Sequence, residues 1–193
     1  MNSMRRNFLI EPPATPLPAS RAFLRHARFR LREDYPVKIR RAVESIDETR
    51  LWWRPNEASN SIGNLLLHLA GNLRQWIVAG VGGAPDDRDR DAEFARREGL
   101  SRQELLALLQ SAIEEADAVL ENIEREIENG LPDDDAALQR LCRPQGFPQT
   151  VLDAIFHPIE HFSYHTGQIV QIAKLLEADR IRFYDDRRLA GES

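Results

Sequence analysis

Cysteine is nearly missing from this chain. Cys142 stands alone, so no internal disulfide can form and nothing calls for an oxidising compartment. Lysine is confined to Lys38 and Lys174, which leaves arginine to carry the positive charge. No apolar run approaches the ~20 residues needed to span a bilayer, and residues 1–9, despite Arg5 and Arg6, lack the apolar stretch of a signal peptide. Convincing alternating strands and internal repeats are also absent. A formal charge of −5 supplies no global basic field for nucleic acid or an anionic membrane, although Arg21 to Arg41 is locally basic and reads as a solvated helix face. The expectation is a soluble, cytoplasmic protein with no nucleic-acid or membrane partner.

The chain's 193 residues, 42% of them hydrophobic and 30% charged, are enough for one substantial core. Pro12, Pro13, Pro16 and Pro18 make residues 1–18 an extended leader, which leaves 19–193 as a single domain. After Ser20, Phe23, Leu24, Leu31, Val37, Ile39, Val43 and Ile46 recur at helical spacing, with a kink expected near Tyr35 because Pro36 follows. Trp52 and Trp53 lie in a loop and read as packing against the bundle. A second helix starts at Ser59, Asn60 or Ser61 and runs to Ala79, where Gly80, Gly82, Gly83 and Pro85 stop it. The charged stretch Ala84 to Gly99 then reads as a solvated crossover. Ser101 with Glu104 forms a capping box before the third helix, and Thr150 with Asp153 caps a fourth that runs towards Leu176. The fold class is therefore all-α, a four-helix bundle with a long crossover between its second and third helices.

Four of the five histidines sit in two of these helices. His161 and His165 are four residues apart within an apolar face that includes Ala154, Phe162, Ile169, Ile172 and Ala173, so both imidazoles project to one side. His68, from the second helix, can complete a three-nitrogen site with a coordination position left open. Imidazoles in an apolar stripe lose hydration unless they find partners, and a divalent metal ion serves them together. His157 precedes Pro158, which leaves its direction open, and it reads as supporting the ligands or facing substrate. His26 reads as a surface residue.

Asn64, His68 and Asn72 form a polar strip every four residues along the second helix; for the two asparagines an ordinary amphipathic boundary is the simpler reading. Gly63, Gly71 and Gly167 lie inside the histidine-bearing helices, and close approach of those helices is the expected compensation. Asn72, Glu160 and Gln168 are candidates to accept the second ring proton of a ligand histidine. Glu160 could equally be an exposed ion-pair partner, and Tyr164 could orient a substrate or pack in the core. Cys142 has no adjacent base and reads as a loop cysteine.

The segments Ile62-Gly63-Asn64-Leu65-Leu66-Leu67-His68-Leu69, continuing to Trp76, and His161-x-x-x-His165-Thr166-Gly167-Gln168-Ile169 resemble the DinB-like metalloproteins, which include bacillithiol- and mycothiol-type thiol S-transferases. The resemblance spans most of the chain and departs from the family at Pro158, where the fourth helix of relatives continues smoothly. It implies that His68, His161 and His165 bind zinc or nickel in a bundle that forms homodimers, and it implies no DNA chemistry. It also suggests a metal-dependent transferase that activates a low-molecular-weight thiol for attack on an electrophilic substrate. The alternatives are a hydrolase using metal-bound water and a non-catalytic, stress-associated metal-binding dimer.

Overall fold

The computed structural model describes residues 10–129, 135–177 and 181. Residues 1–9 of the expected leader lie outside the described residues, and residues 10–18 carry no helix or strand. The first long helical stretch comprises α1 (Ala19–Phe29), a π-helical turn (Arg30–Asp34) and α2 (Tyr35–Ser45). The expected kink is realised as that wide turn, closed by the Tyr35 N–H on the Arg30 carbonyl directly before Pro36, which has no N–H of its own to give.

α3 (Ile62–Leu73) begins at Ser61, whose hydroxyl accepts from the Asn64 N–H at 3.1 Å while Asn64 Oδ1 accepts from the Ser61 N–H at 3.1 Å. The helix continues as a second π-helical segment, Arg74–Ala79, with Gly80 N–H bonded to the Gln75 carbonyl five residues back. A six-residue helix α4 (Arg90–Ala95), capped by Asp89, lies inside the connection. α5 (Arg102–Glu128) starts at the Ser101–Glu104 capping box, and α6 (Ala136–Gln139) is a single turn. The two-residue strands β1 (Leu141–Cys142) and β2 (Gln149–Thr150) pair antiparallel before α7 (Val151–Leu176), which the Thr150 hydroxyl caps by accepting from the Asp153 N–H. α7 runs unbroken through Pro158.

Among the described residues the four long helical stretches form the bundle: α3 packs on α5 and α7, α2 on α7, and α1 on α5. Their shared core includes Leu24, Ile39, Leu66, Leu69, Leu109, Ala116, Phe162 and Ile169. None of the described helices is long and apolar enough to cross a membrane.

The arginines of α1 correct the sequence expectation of a solvated face. Arg28 clasps Asp117 with Nε–Oδ1 at 2.7 Å and Nη2–Oδ2 at 3.1 Å and also bonds Glu124, while Arg32 reaches Asp117 and Arg21 reaches Glu128. Arg21, Arg28 and Arg32 recur at the same helical spacing as the acids Asp117, Glu124 and Glu128 on α5, so one row of charges meets the other across the helix pair.

The glycines also depart from expectation. A Cβ on Gly63 would press on the Trp52 ring at 2.9 Å, and one on Gly71 would fall on Glu93 Oε1, while Gly167 has nothing within 4 Å. These glycines make room for side chains of the connecting loops instead of bringing α3 and α7 together. Trp52 is held in place by its indole N–H donating to the Leu100 carbonyl at 3.2 Å.

Candidate metal centre

α3 and α7 bring His68, His161 and His165 together, with one ligand atom from each lying within 4.8 Å of the others. His161 Nε2 is 2.6 Å from His68 Nε2 and 3.1 Å from His165 Nε2. His68 and His165 are 4% and 6% exposed, and His161 is half-buried, so approach from solvent is on the His161 side.

The outer nitrogens decide what the inner ones can do. His165 Nδ1 lies 2.6 Å from Gln168 Oε1, an acceptor, which places the ring proton on Nδ1 and leaves Nε2 with a bare lone pair. His68 Nδ1 lies 2.9 Å from Glu93 Oε2 and 3.0 Å from Arg88 Nη2. The guanidinium already has Glu93 Oε2 at 2.9 Å and the His68 carbonyl at 3.5 Å as acceptors, so the carboxylate takes the Nδ1 proton and the second Nε2 is bare as well. Three nitrogens therefore converge with at most one proton among them, an arrangement that repels itself unless a cation sits between. Zinc–nitrogen distances of about 2.0–2.1 Å in a tetrahedron put ligand nitrogens roughly 3.3 Å apart, so His68 and His161 need to separate by less than about 1 Å. The donor set fits a divalent metal of the borderline type that imidazole favours, and the three histidines could hold one.

Burial, followed by the neighbouring rings of His165 and His68, pushes His161 from its ordinary 6.5 down to about 3. Burial also lowers His165, with the Gln168 contact partly opposing, and burial lowers His157. Burial alone would raise Glu93, but the Arg88 and His68 hydrogen bonds outweigh it and hold the carboxyl below its ordinary value. These shifts act in one direction. Below pH 6.5 the unfolded chain binds protons that the folded histidines refuse, so stability is full near neutrality and is lost as pH falls towards about 3. The melting temperature of metal-free protein is expected to decline steadily from pH 7 to pH 4, with a shallower slope in His161→Asn; equal slopes in the two proteins would contradict this assignment.

The profile of a family described as "Protein of unknown function (DUF1572)" matches residues 18–184. The chain belongs to the DUF1572 family. This is a DinB-like domain family, and the fold of the DUF1572 chain is similar to that of a DinB-like protein, YjoA, from Bacillus subtilis, with TM-score 0.55 and 17% identity over 85% of this chain and 98% of that one. No curated protein matches the sequence significantly.

The other candidates of the DUF1572 chain divide around this centre. Gln168 contacts a histidine of the cluster, as described. Asn72 does not; its Nδ2 faces His157 Nε2 at 3.4 Å. His157 is sandwiched, stacked on Trp76 at 4.0 Å and on His161 at 5.3 Å between ring centroids. Glu160 is exposed. Tyr164 is 64% exposed, which excludes core packing, and its ring meets the edge of His165 at 5.0 Å. His26 is exposed and accepts from Arg30 Nε at 3.0 Å, and the Cys142 thiol, raised by burial, lies against the Gln149 and Thr150 carbonyls.

Sequence reasoning missed Arg88 and Glu93, which the expected solvated crossover folds in against His68. Their side chains are 5% and 10% exposed and meet through Nε–Oε1 at 2.8 Å and Nη2–Oε2 at 2.9 Å. The available signal was Asp89, three residues before Ala92 at capping distance, with one aromatic residue, Phe94, inside an otherwise charged stretch; Phe94 packs on the His68 ring at 4.5 Å. Asn64, read as an amphipathic boundary, instead clasps the same segment, donating to the Glu93 and Arg96 carbonyls at 2.7 and 2.9 Å.

Proposed function

We propose that this protein binds one divalent metal ion, zinc or nickel, at His68, His161 and His165 and uses it to join a low-molecular-weight thiol to an electrophile. The convergence of three lone-pair nitrogens with a half-buried edge is the observation that carries this reading. A metal ion held there would favour the thiolate of a small thiol and make its sulfur nucleophilic at neutral pH. The chain's own groups supply the rest. Glu93 and Gln168 hold two ring protons away from the centre, His157 and Trp76 wall one side of His161, and the exposed Tyr164 borders the other. The electrophile lies over that edge; a sulfur–carbon bond forms, its leaving group departs with the bonding pair, and the thiol proton passes to solvent. A homodimer and a cytoplasmic setting accompany this reading as extensions of the family resemblance.

The test is titration calorimetry of zinc- or nickel-loaded protein with bacillithiol, mycothiol and glutathione, followed by conjugation assays on a chromogenic aryl halide. Metal-dependent conjugation above the uncatalysed rate is the expected result. Absence of binding and of conjugation with all three thiols would remove the transferase reading, and ester or amide cleavage without thiol would replace it by hydrolysis.

A further inference from the structure

We propose that Glu93, clamped by Arg88, is the positioning residue of the metal centre, and that cation binding at His68 and docking of residues 86–97 on α3 form a single linked equilibrium. The proposal rests on the metal-binding half of the reading above and is independent of thiol transfer.

The first observation is how little else holds the connection down. No residue from Val81 to Leu100 is fully buried. A cavity of about 440 Å3 separates much of the connection from α3, bounded on the helix side by Leu67, Ala70, Gly71 and Val78. A segment without buried apolar anchors has low local stability and is held by its specific contacts. Those contacts gather at His68: Glu93 Oε2 on its Nδ1, Arg88 on its carbonyl, and Phe94 on its ring. Asn64 and Arg54, reaching the Glu93, Phe94 and Arg96 carbonyls, complete the clasp.

The second observation is the shape of the helix beneath the pair. At Gly71 a Cβ would fall on Glu93 Oε1 and lie 2.9 Å from Arg88 Nε. The absence of a side chain there leaves the space the ion pair occupies. Any larger residue displaces the carboxylate without touching a histidine.

Together these give the coupling. With the segment docked, Glu93 draws the His68 proton to Nδ1 and aims the bare Nε2 inward; with it undocked, that ring is free to turn or change tautomer. A cation on Nε2 in turn requires the proton on Nδ1, where the carboxylate accepts it. Each event favours the other by the same factor, as linkage demands.

The experiment compares wild type with Glu93→Gln and Gly71→Ala, using Zn2+ in competition with a chromophoric chelator, Co2+ for visible spectra, and hydrogen exchange over residues 86–97 with and without Zn2+. No thiol is present. Alanine is a better helix former than glycine, so Gly71→Ala tests the idea even if Glu93→Gln folds poorly, and circular dichroism melts of the metal-free proteins report on folding. Zinc affinity is expected to fall about 10–100-fold in both variants. The Co2+ bands are expected to shift in Glu93→Gln. Zn2+ is expected to slow exchange over 86–97 in wild type and to do so much less in either variant. Wild-type zinc uptake with unchanged exchange, or near-wild-type affinity in both folded variants, overturns the linkage alone. A wild-type chain that takes up no Zn2+ overturns the metal reading as well, whereas linkage without any conjugation removes only thiol transfer.

Discussion

Replacing His68 with alanine is expected to reduce bound metal from about one equivalent per chain to roughly a tenth or less after dialysis, and His165→Ala to do the same, because two imidazoles alone cannot complete the site. Elemental analysis of the purified proteins measures this directly. The two residues come from different helices, α3 and α7, so both losses together identify a shared centre and not two separate ones. Exposed His26 serves as the control, since His26→Ala leaves the cluster intact. Thermal stability gives a second readout. A ligand at a hundred times its dissociation constant stabilises the folded state by about 2.7 kcal/mol, so zinc should raise the wild-type melting temperature by several degrees and leave that of His68→Ala unmoved. Stoichiometric metal retained in both alanine variants would reject the ligand set.

The second large effect lies far from that centre. Arg28→Met is expected to destabilise the bundle by about 2 kcal/mol, between the ~0.2–1 kcal/mol of an exposed ion pair and the ~3–5 kcal/mol of breaking a buried one. Methionine preserves much of the packing of the arginine stem but leaves Asp117 and Glu124 facing an apolar end. Asp117 keeps Arg32 at 3.0 Å, so part of its charge remains compensated, which is why the larger figure does not apply. For a chain of this size the melting temperature should fall by about 4–8 °C. Chemical denaturation and salt dependence test the cause: salt should weaken wild type more than the variant, and adding Asp117→Leu to Arg28→Met should recover part of the loss. A melting point within about 1 °C of wild type would show the row of charges to be energetically neutral.

What the sequence disclosed and what it withheld follow from the range of the interactions involved. Ser61, Ser101 with Glu104, and Thr150 announce helix starts because a cap is read within three residues, and each lies where its helix begins. His161 and His165 were legible as a pair because helical geometry alone puts them on one side, and the Gln168 contact is equally local. Glu93 was not, since nothing within 25 residues of it on the N-terminal side marks His68 as its partner; the choice is made when the connection folds over α3. Gly71 misled for the same reason. Its missing side chain is visible in the sequence, but the group filling the space comes from the connection and not from α7. The arginine row of α1 resembles any solvated face until the acids of α5, about ninety positions later, are laid alongside it.

The wide turn after α3 has a consequence for chain length. Between Arg74 and Ala79 the backbone bonds step back five residues, so this stretch holds one residue more per turn than an ordinary helix would. Deleting any single residue there would tighten the spiral and rotate everything beyond the cut by about 100°. The indole now stacked on His157 would swing towards another quadrant, and the glycine run that ends the helix would start the connection in a new direction. The spacing from His68 to Gly80 thus acts as a ruler: in relatives, a gap of one residue at this place would mark a differently built wall beside the histidines even where all three are retained.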